Sequence, residues 1–142
     1  MPPESKAVLS WLQKADDDLR LGEMAMKGSP PVCWGAAFHA QQAAEKALKG
    51  LLTHHGRELE KTHDIRYLLQ LCEAVAPSLR SVAERAVVLT RYAVQPRYAV
   101  LRPDPSESEA LRALALAREI LELVRKAMPA DLGRGEERSS NP

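Results

Sequence analysis

Apolar residues recur along this chain at alternating spacings of three and four, the period of one helix face, and proline and glycine cut the pattern into five segments of helical length. The breaks fall at Pro2 and Pro3, Gly28 with Pro30 and Pro31, Gly56, Pro77, Pro96, Pro103 and Pro105, and Pro129. The first segment, about Glu4 to Lys27, aligns Val8, Leu12, Ala15, Leu19, Gly22 and Met26 in one stripe. Its Asp16-Asp17-Asp18 run is expected to face mostly away. The second, about Val32 to His55, carries two adjacent stripes. One is Ala37, Ala40, Ala44, Ala47 and Leu51; the other is Trp34, Phe38, Gln41, Glu45, Leu48 and Leu52. An alanine stripe lets another backbone approach closely, which predicts the central helix of a bundle. Two polar residues, Gln41 and Glu45, interrupt the second stripe.

The third segment is expected to start at Thr62 as N-cap, with Asp64 in the first turn, and to run through Ile65, Leu68, Leu69, Cys72 and Val75 to Pro77. A fourth covers Ser78 to about Tyr92, with Leu79, Val82, Ala83, Ala86 and Leu89 inward. The fifth opens on a Ser106-x-x-Glu109 capping box and ends near Met128. Leu111, Leu114 and Leu121 mark one side of it, and Ala113, Ala117, Ile120, Val124 and Ala127 another. So wide an apolar face predicts burial against a second copy, hence a homodimer. Short joints make neighbouring helices antiparallel, so the expected architecture is an all-α, up-and-down four-helix bundle with an additional helix. Residues 1–130 form this single domain, and 131–142, polar throughout its end, form a disordered tail.

Composition supports the same fold. Ala (21) and Leu (20) make up 41 of 142 residues, while Val, Ile and Thr total 14 and the aromatics six, an inventory that disfavours β folds. A chain of this size buries about 68% of its unfolded surface, so it needs no disulfide, metal or cofactor to supply a core. Cys33 and Cys72 are too few for a disulfide framework or zinc cluster and fit a reducing cytoplasm. No apolar run approaches 18 residues and no signal-peptide stretch opens the chain, so a soluble cytoplasmic protein without membrane contact is expected.

The formal net charge is only +1, so any nucleic-acid or nucleotide surface has to be local. Three local candidates exist. Along the second segment His39, Gln42, Lys46 and Lys49 form a polar row beside Gln41 and Glu45. It reads either as a solvated face with a Glu45–Lys49 pair or as a strip lining a cleft that recognises a nucleotide or a partner. Between Arg85 and Arg102 there are four arginines and no acid, and Arg91, Tyr92, Arg97 and Tyr98 combine anion forks with π-faces, a pairing suited to phosphate and base. The alternative is tyrosines that anchor a loop and arginines paired with acids of the fifth segment. Lastly, Arg57 and His63 offer an anion clamp and a general acid or base for RNA cleavage without metal, although His63 bonding near a Thr62 cap explains the same residues. His54 and His55 point about 100° apart on a helix and His39 lacks a partner at i+3 or i+4, so no metal site is expected.

The string from Phe38 to Leu52, FHAQQAAEKALKGLL, followed by Gly56, then Lys61-Thr62-His63-Asp64-Ile65 and later Tyr92 through Arg97-Tyr98, resembles the HEPN domain family of prokaryotes over roughly residues 8 to 125. The resemblance implies a dimeric α-helical bundle. Small members are often encoded beside a minimal nucleotidyltransferase, so it also implies that partner protein, in a toxin–antitoxin type system. Nucleotide binding and metal-independent RNA cleavage are both attributed to the wider superfamily. The nuclease branch carries Arg, four to six residues, then His; here that spacing occurs at Arg57 and His63, and no histidine follows Arg91 or Arg97-Tyr98. His39, Gln42, Lys46, Arg91, Arg97 and Tyr98 are therefore the expected nucleotide contacts, with Arg57 and His63 as catalytic candidates. A module that acts through its helix faces alone is the remaining alternative.

Overall fold

Two long helices, α1 (Pro3–Met26) and α2 (Cys33–His54), form an antiparallel hairpin in the computed structural model, which describes residues 3–93 and 103–133. The turn between them closes where the Val32 N–H donates to the Ala25 carbonyl at 2.9 Å. Val8, Leu12, Ala15 and Leu19 of α1 are buried, and every alanine of the α2 stripe is fully enclosed. Small side chains allow this approach. A Cβ on Gly50 would lie 3.1 Å from Trp11 Cβ, and one on Gly22 would lie 3.2 Å from the Ala36 carbonyl oxygen. The stripe therefore acts as a packing surface and makes α2 the central helix, as expected.

The end of α2 is a Schellman motif, which explains Gly56. Its φ of +66° belongs to the left-handed region that glycine enters without strain. The Gly56 N–H returns to the Thr53 carbonyl at 3.0 Å and the Arg57 N–H to the Leu52 carbonyl at 2.9 Å. The chain then runs back along α2 before α3 (Ile65–Glu73) begins.

The third helix starts later than its Thr62 signal suggested. Asp64 is the N-cap and accepts from the Tyr67 N–H at 3.3 Å, whereas the Thr62 hydroxyl accepts from the Asp64 N–H at 3.1 Å. Thr62 thus shapes the turn into the helix, and the carboxylate two residues on caps it. The predicted fourth helix is also divided. It comprises a 3₁₀ turn at Pro77–Ser81, the short α4 (Ala83–Ala86) and a second 3₁₀ turn at Val87–Tyr92. Leu79, Val82, Ala86 and Leu89 face inward as predicted, but Ala83 is only half-buried. With Pro77 at its start and the β-branched Val82, Val87, Val88 and Thr90 within it, the stretch lacks the propensity to sustain one regular helix.

The last long helix, α5 (Glu107–Lys126), has both arms of its capping box. The Ser106 hydroxyl accepts from the Glu109 N–H at 3.1 Å, and the Glu109 carboxylate accepts from the Ser106 N–H at 2.9 Å. It packs against α1 and α2, and a final turn, α6 (Ala130–Gly133), buries Leu132 in the region expected to begin a tail. Of the side marked by Leu111, Leu114 and Leu121, the latter two are buried and Leu111 is 55% exposed. All described residues are helical, turn or loop, with no strand among them. The all-α bundle expected from the pattern is the fold observed.

Candidate functional site

Two carboxylates buried between helices organise the polar row of α2. Asp18 of α1, one of the three aspartates expected to face solvent, is only 5% exposed. One of its oxygens lies 2.8 Å from His39 Nδ1, and the other accepts from Lys46 Nζ at 2.6 Å. Glu45 of α2 is equally buried and accepts from His63 Nδ1 at 2.7 Å, Lys49 Nζ at 2.9 Å and Gln41 Nε2 at 3.1 Å. Each carboxylate therefore holds one lysine and one histidine.

Gln41 extends the Glu45 half and is fully enclosed. Its amide nitrogen also donates to the His63 carbonyl at 3.1 Å, and its oxygen accepts from Gln42 Nε2 at 2.7 Å. Among the described residues Arg125 Nε is the one buried side-chain polar atom without a partner, so the strip's own network is complete. Completeness matters because a buried polar group left unmatched costs about 1–3 kcal/mol.

Burial pushes the Glu45 carboxyl up, but hydrogen bonds from Lys49, His63 and Gln41 outweigh it and hold the pKa below its ordinary value. Glu45 is therefore an anion at neutral pH, and so a fixed acceptor for the Nδ1–H of His63. Nε2 of both His39 and His63 has no hydrogen-bond partner among the described residues. A carboxylate behind an imidazole orients the ring and selects the tautomer, which leaves the far nitrogen to accept or donate. Side-chain exposure orders access to the strip: 60% for His63, 28% for His39, 24% for Lys46 and 11% for Lys49. Lys49 also lies 6.0 Å from the Trp11 ring centroid, so its head is confined from two sides.

His39, Gln42 and Lys46 thus share one surface, and His63 joins them from the loop before α3. Arg91 lies on the 3₁₀ turn next to Thr90, whose hydroxyl accepts from the Ile65 N–H at 3.1 Å. That bond ties the start of the arginine–tyrosine stretch to the segment that carries His63. Arg97 and Tyr98 lie outside the described residues. Arg57 is anchored at Leu52 while His63 meets Glu45, seven helical positions away, so the points at which they meet α2 are about 10 Å apart along its axis.

Asp18 is the residue that sequence reasoning missed. It follows Ala15 by three and precedes Gly22 by four, which places it on the row that flanks the buried stripe, so the signal was present but masked by Asp16 and Asp17. Asp16 instead forms a two-pronged ion pair with Arg125, one arm at 3.0 Å. No group of three or more His, Cys, Asp or Glu among the described residues is placed to hold a metal ion. None of their helices is long and apolar enough to cross a membrane. Cys72 is a core residue whose thiol burial pushes up to about 12, which leaves it inert.

The HEPN domain model matches residues 8–127 of this chain. Among solved structures, the crystal structure of TT1696 from Thermus thermophilus is similar, with a TM-score of 0.73 and 32% identity over 85% of this chain and 98% of that one. No curated protein matches.

Proposed function

The chain belongs to the HEPN domain family, and on that premise we propose that it is a helical module that pairs with a second copy and binds a nucleotide through the α2 strip, alone or together with a nucleotidyltransferase partner. One observation carries the reading. Asp18 and Glu45 each hold a lysine and a histidine at the edge of α2, so four nitrogen-bearing side chains are positioned before any ligand arrives. Preorganised donors avoid the entropy of ordering long side chains on binding. A surface that only needed solubility would leave them loose. Arg91, with Arg97 and Tyr98, supplies further phosphate and base contacts in this reading, and a toxin–antitoxin role follows from the kind of partner the resemblance implies.

The test is calorimetric titration of ATP and GTP into the full chain, with Lys46→Ala and Arg97→Ala as variants. Saturable heat that weakens at least tenfold in Lys46→Ala supports the reading. Absence of heat at millimolar nucleotide removes its ligand half. Light scattering tests the pairing, with twice 15.7 kDa as the expected mass.

A second reading, metal-independent RNA cleavage, is favoured by the His63–Glu45 bond, which orients an imidazole as a general base requires. Incubation with RNA in EDTA decides it. Cleavage that is abolished in His63→Ala supports it, and cleavage unchanged in that variant overturns it.

A further inference from the structure

A cavity of about 450 Å³ lies between the 3₁₀ turn Val87–Tyr92 and the outer face of α5, away from the α2 strip. Its size falls within the ~300–1,000 Å³ range of small-molecule sites. The floor is apolar, formed by Val88, Ala113 and Leu116, and the half-buried Tyr92 ring makes one wall. Two ionisable pairs meet at the rim, and they differ. Arg85 and Glu119 neutralise each other through two hydrogen bonds, each 3.0 Å, and so close one end. Glu109 is committed to the backbone of Ser106 in the capping box, whereas the exposed Arg112 makes no hydrogen bond among the described residues.

We infer that this cavity is a binding site for a planar ring bearing an anionic group, with the ring between Tyr92 and the Val88–Leu116 floor and the anion on Arg112. The chemistry selects both halves. An apolar slot beside a phenol accepts a flat ring and gives it a π-face to lie against. A guanidinium with unused N–H groups is a fork for carboxylate or phosphate. The Tyr92 phenol is held above its ordinary pKa by burial first and by Glu109 second, so it stays neutral. Neither Lys46 nor His63 enters this argument, which is therefore independent of the reading of the α2 strip.

The experiment is calorimetric titration of the full chain with AMP, benzoate, adenosine and inorganic phosphate. The two ring-bearing anions distinguish a nucleotide from an aromatic carboxylate, while adenosine and phosphate supply ring and anion alone. The expected result is that AMP or benzoate binds at least tenfold more tightly than phosphate or adenosine. That affinity should fall at least tenfold in Arg112→Ala, a rim variant that leaves the core intact. Arg66→Ala, an exposed arginine on α3, should leave it unchanged. Leu116→Trp, which fills the cavity, should abolish binding, and a circular-dichroism melt reports whether that variant folds. Absence of binding by both AMP and benzoate at 10 mM overturns the inference, as does phosphate binding as tightly as either. Loss of AMP binding in Lys46→Ala but not in Arg112→Ala also overturns it, and in that case the α2 strip stands as the nucleotide site.

Discussion

Asp18 of α1 and Lys46 of α2 lie 28 positions apart in the chain and meet at 2.6 Å, with the carboxylate side chain 7% and the lysine side chain 24% exposed. The pair joins the two longest helices beside a seam of alanine and leucine. Buried charge is a conditional stabiliser: the pair is favourable while both members are present, and either one alone is a liability.

Removing one partner should therefore reveal the coupling. Asp18→Asn and Lys46→Met are each expected to destabilise the fold by about 2–3 kcal/mol, and the double variant by less than their sum. Urea unfolding of the four proteins measures it. Strict additivity would mean that the two residues act separately.

Glu45 predicts an acid limb. Its folded pKa lies below the ordinary value, so the unfolded chain binds the proton more readily. The stabilisation is complete above the ordinary carboxylate pKa of about 4.3 and is lost as pH falls through the lower folded value. Glu45→Gln should thus be markedly less stable than the parent at pH 6, with the gap shrinking towards pH 3. Thermal melts across that range test the sign, and a gap that widens on acidification would contradict it.

Capping at α3 separates two nearby residues. Asp64→Ala should destabilise by about 1 kcal/mol because the Tyr67 N–H loses its acceptor. Thr62→Ala removes only a turn contact and should fall within about 0.5 kcal/mol of the parent. Chemical denaturation of both variants reads the difference, and the reverse order would restore Thr62 as the cap.

Gly22 predicts a loss where helix propensity alone predicts a gain. Alanine should stabilise a helix interior by about 1 kcal/mol over glycine. Here its Cβ would sit 2.5 Å from Leu114 Cδ2 and 3.2 Å from the Ala36 carbonyl. The leucine methyl can swing away, but the carbonyl belongs to the backbone of α2. Gly22→Ala is expected to be destabilising by about 1 kcal/mol net, because overpacking outweighs propensity. A raised melting temperature would show that the helices separate freely.

Much of this protein was legible in order along the chain. Helix length, the alanine stripe of α2, the Ser106 box and the stop at Gly56 are local matters, since each depends on residues within about one turn of each other. The polar row His39, Gln42 and Lys46 was legible for the same reason, as was the anomaly of Gln41 and Glu45 in an apolar stripe. The irregular stretch from Pro77 to Tyr92 was harder to read, because its inward apolar spacing matched a helix while its residue types did not sustain one.

Periodicity could not say which aspartate of three turns inward, because that choice depends on where a second helix lays its lysine. It could not pair His63 with Glu45, since the connecting loop doubles back along α2 before α3 starts. Nor could it show a cavity walled by Tyr92 and Arg112, which come from segments that meet only in the folded bundle. Local pattern determined the long helices and the apolar stripes they bury. Tertiary structure alone decided which charges share a buried site, because a carboxylate enters the interior only where donors from other segments converge on it.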